Sequence, residues 1–101
     1  MLVCGLFARL EAKPGKEQEL REFLNQGLQL ADQEATTPLW FALRLSPTVF
    51  AIFDAFTGEA GRQAHLAGPI AKALMARAAD LLVSPPVIEP VEVLGAKLPN
   101  D

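Results

Sequence analysis

Two side chains stand out as chemistry. His65 is the chain's only histidine, and Asp54 is the only charged residue in the apolar run Val49-Phe-Ala-Ile-Phe-Asp-Ala-Phe56. An imidazole with an ordinary pKa near ~6.5 changes charge close to neutral pH, which suits a general base. Its plainer role is to satisfy carbonyls at a helix C-terminus, where a cation is welcome. A carboxylate among phenylalanines is costly if buried alone, so Asp54 needs a partner. It could orient His65 or hold a substrate hydroxyl; equally it could pair with an arginine or sit at the wet end of its strand.

Other residues could complete such a site. Arg44 and Arg62 could clamp an anionic oxygen, with plain surface placement as the alternative. Trp40, Phe41, Ile52 and Phe56 could line a flat, dry pocket, although strand aromatics of this size also make ordinary core. Cys4 lies in an apolar stretch and reads as a small buried hydrophobe. One histidine and one cysteine cannot build a zinc site of the usual ligand types. The chain has no GxGxxG, no Walker loop and no GxSxG elbow, so no metal and no nucleotide cofactor is expected.

The elements that must position these residues follow from periodicity. Leu2 to Ala12 alternates as a first strand, and Lys13-Pro14-Gly15 turns the chain. A helix from about Gly15 or Lys16 to Ala31 carries the stripe Leu20, Phe23, Leu24, Gly27, Leu28, Ala31. Thr36–Leu45 and Thr48–Phe56 read as a hairpin joined by Ser46-Pro47. That register puts Leu39, Phe41 and Leu43 on one face with Phe50, Ile52, Asp54 and Phe56; a one-residue slip exchanges the partners. Thr57 can cap a short helix from Gly58 to about Ala67, and Pro69 starts a second with the stripe Ile70, Leu74, Ala78, Leu81. Val87–Leu98 is the last strand, with Pro90 suggesting an edge or bulge. The order strand–helix–strand–strand–helix (broken)–strand predicts an α+β class, a ferredoxin-like βαββαβ sandwich on an antiparallel sheet.

Length and composition bound the rest. A chain of 101 residues argues for one domain over 1–101. The strand Val49–Phe56 is apolar on both faces, yet the helices can cover only one, so a second copy is expected over the other: a homodimer through the sheet face, walling a dry site. A hydrophobic fraction of 50% and a mean hydropathy of +0.22 are high for a small monomer and agree with that burial. A net charge of −3 argues against a nucleic-acid partner, which usually demands a basic stripe. No apolar run reaches the ~18–20 residues of a membrane span, and nothing at the start reads as a leader, so a cytoplasmic protein is expected.

Three segments, in order, resemble the antibiotic-biosynthesis-monooxygenase family: Glu11-Ala-Lys-Pro-Gly-Lys-Glu17, Phe53-Asp-Ala-Phe-Thr-Gly-Glu59 and Ala64-His-Leu-Ala-Gly-Pro69. The resemblance spans nearly the whole chain and implies a dimeric α+β barrel. For some members it implies oxidation of quinols or polyphenolic aromatics by O₂ without metal, flavin or haem. It places a histidine nine residues after the strand-end aromatic, here Phe56, and an acid at Asp54. On that resemblance His65 takes a phenolic proton, while Asp54, Arg44 or Arg62 position oxygens. Phe56 stands where many relatives carry tryptophan, and the chain has no tyrosine. The haem-degrading branch of the superfamily relies on a histidine late in the last helix, and Ala73–Ala78 has none, so haem is not expected. The competing expectation is a non-enzymatic module that senses or carries a small apolar ligand in the same pocket.

Overall fold

The computed structural model describes residues 1–99, so Asn100 and Asp101 of the expected single domain lie outside the described residues. Its elements are β1 (Cys4–Glu11), α1 (Glu17–Asp32), β2 (Leu39–Arg44), β3 (Val49–Phe56), α2 (Glu59–Leu66), α3 (Pro69–Leu81) and β4 (Val87–Glu92). The strands form one antiparallel sheet in the order β2-β3-β1-β4. This is the ferredoxin-like α+β arrangement that the element order predicts.

Local chemistry explains the boundaries. Gly15 sits at φ +84, a left-handed conformation that costs glycine little, and turns β1 into α1. Glu17 and Glu19 then occupy the helix's positive end. Leu20, Phe23, Leu24, Gly27 and Ala31 are the buried stripe of α1, while Leu28 stays half-exposed. Pro69 opens α3, where its fixed φ fits the first turn, and Ile70, Leu74 and Leu81 face inward. Gly58, not Thr57, precedes α2, and no side-chain oxygen caps that helix. The last strand ends at Glu92 rather than Leu98. Val93 still donates to the Val3 carbonyl, but β1 begins at Cys4, and the edge has no further partner to offer.

Helices cover one face of the sheet. Leu6, Ala8 and Leu10 of β1 lie opposite Asp54, Ile52 and Phe50 of β3; Ala8 and Leu10 join the core of Leu20, Phe23, Leu24, Leu74 and Leu81, while Leu6 packs with Cys4 and Phe56. Leu10, Leu20, Leu81 and Phe56 are fully enclosed. Each such side chain contributes about 1.5–3 kcal/mol through lost apolar exposure.

The hairpin register differs from the expected one. Trp40 pairs with Asp54, Ala42 with Ile52 and Arg44 with Phe50, so these residues share the helix-covered face. Phe41 pairs with Phe53, and Leu43 with Ala51, on the reverse. The loop holds three residues, Ser46-Pro47-Thr48, rather than two. Its closure comes from Val49, whose N–H donates to Ser46 Oγ at 3.1 Å and whose carbonyl accepts from Leu45 at 2.8 Å. That one extra residue moves Trp40 and Phe41 to opposite faces.

The reverse face carries Phe7, Val49, Phe53, Leu39, Phe41, Leu43, Val87 and Val91, with Arg9, Glu11 and Glu89 at its fringe. None of the described helices lies over it, and Phe41 and Val87 remain 51% and 53% exposed.

Candidate functional site

His65 and Asp54 meet, and they do so on the helix side of the sheet. His65 Nε2 lies 3.0 Å from Asp54 Oδ2. The walls of the site are therefore the chain's own helices and sheet, which corrects the expectation of a site walled by a second copy. The other ring nitrogen is also occupied, because Nδ1 lies 2.8 Å from Glu34 Oε1. The imidazole is thus held at both ends by carboxylates in a nearly closed space, with Asp54 2% and His65 6% exposed.

Each member is placed by a different element. Asp54 comes from the centre of β3, where strand alternation turns it inward beside Phe56. His65 comes from the last turn of α2. Gly61 lets that helix approach closely, since a Cβ there would stand 2.9 Å from the Thr36 carbonyl and 3.5 Å from Phe56. The Phe56 ring lies 5.5 Å from the imidazole, tilted by 47°. Glu34 comes from the turn after α1, in which Thr37 N–H donates to the Glu34 carbonyl and Thr37 Oγ–H to Glu34 Oε1 at 2.8 Å. Thr37 Oγ1 also sits 3.4 Å from His65 Nδ1. This bracing fixes the carboxylate against the ring.

The electrostatics follow from the two carboxylates. Burial alone would lower the His65 pKa, but hydrogen bonds to Asp54 and then to Glu34, with their charges, outweigh it and raise the pKa above its ordinary value. Protonated, the ring donates from both nitrogens, and the Glu34–His65–Asp54 unit carries one net negative charge. Two carboxylate oxygens are left over: Glu34 Oε2 and Asp54 Oδ1 are buried without a hydrogen-bond partner, as is Trp40 Nε1 on the strand position paired with Asp54. The carboxylates sit on opposite ring nitrogens and do not converge on a point, and among the described residues no group of three such side chains could hold a metal.

A cleft of about 310 Å³ has in its wall Thr37, which bonds Glu34. Leu28, Ala31, Asp32, Pro38, Leu39, Trp40 and Phe41 line the rest of it, so Phe41 borders the cleft from the sheet's edge strand although its strand position belongs to the reverse face. Ile52 and Phe56 are core beside the unit rather than cleft wall. The two arginines lie elsewhere. Arg62 is bound to Glu59 and to the carbonyls of Gly5 and Val91, and Arg44 donates to the Pro47 carbonyl beyond the far end of β2. Cys4 is buried beside Leu6 and Phe56, as its apolar strand suggests.

Glu34 and Thr37 escaped the reading of the sequence. They lie in an irregular turn with no periodicity, and the available signal was indirect: a buried acid and a buried imidazole leave one ring nitrogen wanting a partner.

With this geometry in view, similarity to solved proteins can be weighed. A protein of unknown function from Nitrosomonas europaea is 59% identical to this chain, with 100% of this chain and 98% of that one covered and a TM-score of 0.96. The chain belongs to that protein's family. A candidate antibiotic biosynthesis monooxygenase from Nitrosomonas europaea shares 16% identity over 91% of this chain and 90% of its own, with a TM-score of 0.81. Another, from Caulobacter crescentus, shares 18% over 93% and 92%, with a TM-score of 0.77. The chain therefore shares its fold with these two structures. No family profile and no curated protein matches the sequence. None of the described helices is long and apolar enough to cross a membrane.

Proposed function

We propose that the chain is a cofactor-independent monooxygenase acting on an electron-rich phenol or quinol, working in the cytoplasm as a homodimer joined through the uncovered sheet face. One observation carries the reading: an imidazole fixed between two carboxylates, beside a cleft whose wall includes Thr37, Trp40 and Phe41.

The unit sets two carboxylate groups against one imidazole and so can take up a proton as a whole. A phenolic hydroxyl in the cleft would donate toward Asp54 Oδ1 or Glu34 Oε2, with Trp40 Nε1 donating to a substrate oxygen. The imidazolium of His65 lowers the energy of the added charge in a site from which water is excluded, where such interactions are strong. The phenolate then reduces O₂ directly. Over the full reaction a quinol supplies all four electrons: one oxygen atom becomes a hydroxyl in place of one ring C–H, the two phenolic O–H groups become quinone carbonyls, and the other oxygen atom leaves as water. A volume near 310 Å³ is at the small end for ligand sites, which favours a substrate of one or two rings. The dimer is supported by the apolar reverse face, and the reducing compartment by the lone Cys4.

Oxygen uptake against a panel of small quinols tests the proposal. Uptake by the wild-type protein, and its loss in His65→Ala with the dimer intact by sedimentation, are the expected results. Unchanged turnover in that variant would reject the role of His65. A second reading is favoured by the enclosure of the ring, whose nitrogens are both already engaged: the cleft then binds a small apolar ligand without turning it over. Thermal stabilisation by a quinol with no oxygen uptake would decide for that reading.

A further inference from the structure

A second cleft, of about 260 Å³, opens between α1 and the β2–β3 end of the sheet. Arg21 and Asn25 of α1 face it from one side and Arg44 from the other, over a floor that includes Leu24 and Phe50. Phe50 lies four residues from Asp54 along β3, a separation of roughly 13 Å at ~3.3 Å per residue, so the cleft is distinct from the His65 site.

Two arginines of this acidic chain meet at the cleft without a carboxylate partner among the described residues. Lys16 and Arg77 are tied to Glu19 and Asp80, and Arg62 is tied to Glu59. Among the described residues, neither Arg21 nor Arg44 makes a salt bridge. Arg44 is nevertheless held in place: its Nη2 donates to the Pro47 carbonyl at 2.8 Å, and its guanidinium stacks 4.9 Å from the centre of the Phe50 ring. A guanidinium fixed at one nitrogen and stacked on an aromatic face keeps its remaining N–H groups aimed, with less entropy to lose on binding. A planar carboxylate is the complement of such a fork, Asn25 adds an amide donor, and the apolar floor accepts a small hydrocarbon body.

We infer that the cleft between Arg21 and Arg44 is a binding site for a small aromatic or apolar carboxylate, separate from the His65 site. The cleft is too small for a nucleotide and has room for about one ring.

Benzoate is the probe, with benzyl alcohol as its neutral counterpart and inorganic phosphate as an anion without the apolar body. Arginine side-chain and backbone amide NMR signals are followed through each titration. Saturable shifts at Arg21 and Arg44 with benzoate, at least tenfold weaker binding of benzyl alcohol and phosphate, and at least tenfold loss in both Arg21→Gln and Arg44→Gln are expected. Arg44→Lys should recover little, because lysine lacks the planar fork. Equal binding of benzoate and benzyl alcohol, shifts absent from these residues, or unchanged binding in Arg21→Gln would overturn the assignment. Arg21 is an exposed helix residue, so its variant keeps the test open even if Arg44→Gln disturbs the turn.

Discussion

Raising the pH should weaken this fold through His65. Desolvation pulls the imidazole's pKa down, but the bonds to Asp54 and Glu34 outweigh it, and the folded value lies above the ordinary one. Between the two values the folded chain binds more protons than the unfolded chain. The stabilisation is therefore complete below the unfolded pKa of about 6.5 and is lost as pH rises through the folded pKa. One proton is at stake, so within that interval stability falls by up to about 1.4 kcal/mol per pH unit. A domain of this class has roughly 5–15 kcal/mol in total, so the slope is readable. Asp54→Asn removes one of the two charged partners, at a cost of about 1.5–3 kcal/mol near pH 6. For a chain of this length that is a fall in Tm of roughly 6–24 °C. It also lowers the folded pKa and narrows the interval. Urea unfolding followed by Trp40 fluorescence from pH 6 to pH 9, at one protein concentration, measures both effects. Stability that rises with pH between 6 and 7 is the signature of an imidazole buried neutral, and it would refute the reasoning.

Other substitutions probe the frame. Gly5→Ala should cost about 1–3 kcal/mol or more in thermal unfolding, because its Cβ would stand on the backbone oxygen of Asp54, whereas Gly58→Ala meets open space and should stay within about 1 kcal/mol. Leu10→Ala, at a site with no exposure, should cost about 2–5 kcal/mol by denaturant titration, while Met75→Ala at 59% exposure should change little; equal losses would contradict the assigned core. Phe53→Asp, in the middle of the uncovered sheet face, should convert the proposed dimer to a 10.9 kDa particle in sedimentation, and a persistent dimer would place the interface elsewhere.

The architecture was legible where side-chain period alone decides it. The stripe from Leu20 to Ala31 allows only a helix with that face inward, and the two-sided apolarity of Val49–Phe56 allows only a central strand, which is where β3 lies. Pro90 marked an edge, and β4 is one. The hairpin register was not legible, because a two-residue and a three-residue loop through Ser46-Pro47 are equally natural to the eye. The choice rests on Ser46 Oγ taking the Val49 N–H. His65 and Asp54 could be nominated by type, since a lone imidazole and an acid among phenylalanines both ask for partners. Glu34 could not, because tertiary packing of an irregular turn brings it to the ring across 31 residues of sequence.

The state of the His65 ring nitrogens can be read directly by nitrogen-15 NMR through a pH titration. Both N–H groups should persist to a higher pH than in an ordinary imidazole, whose pKa is about 6.5. A ring that loses its second N–H below that ordinary value would contradict an imidazole held between Glu34 and Asp54, and the proton acceptor proposed for the cleft would fall with it.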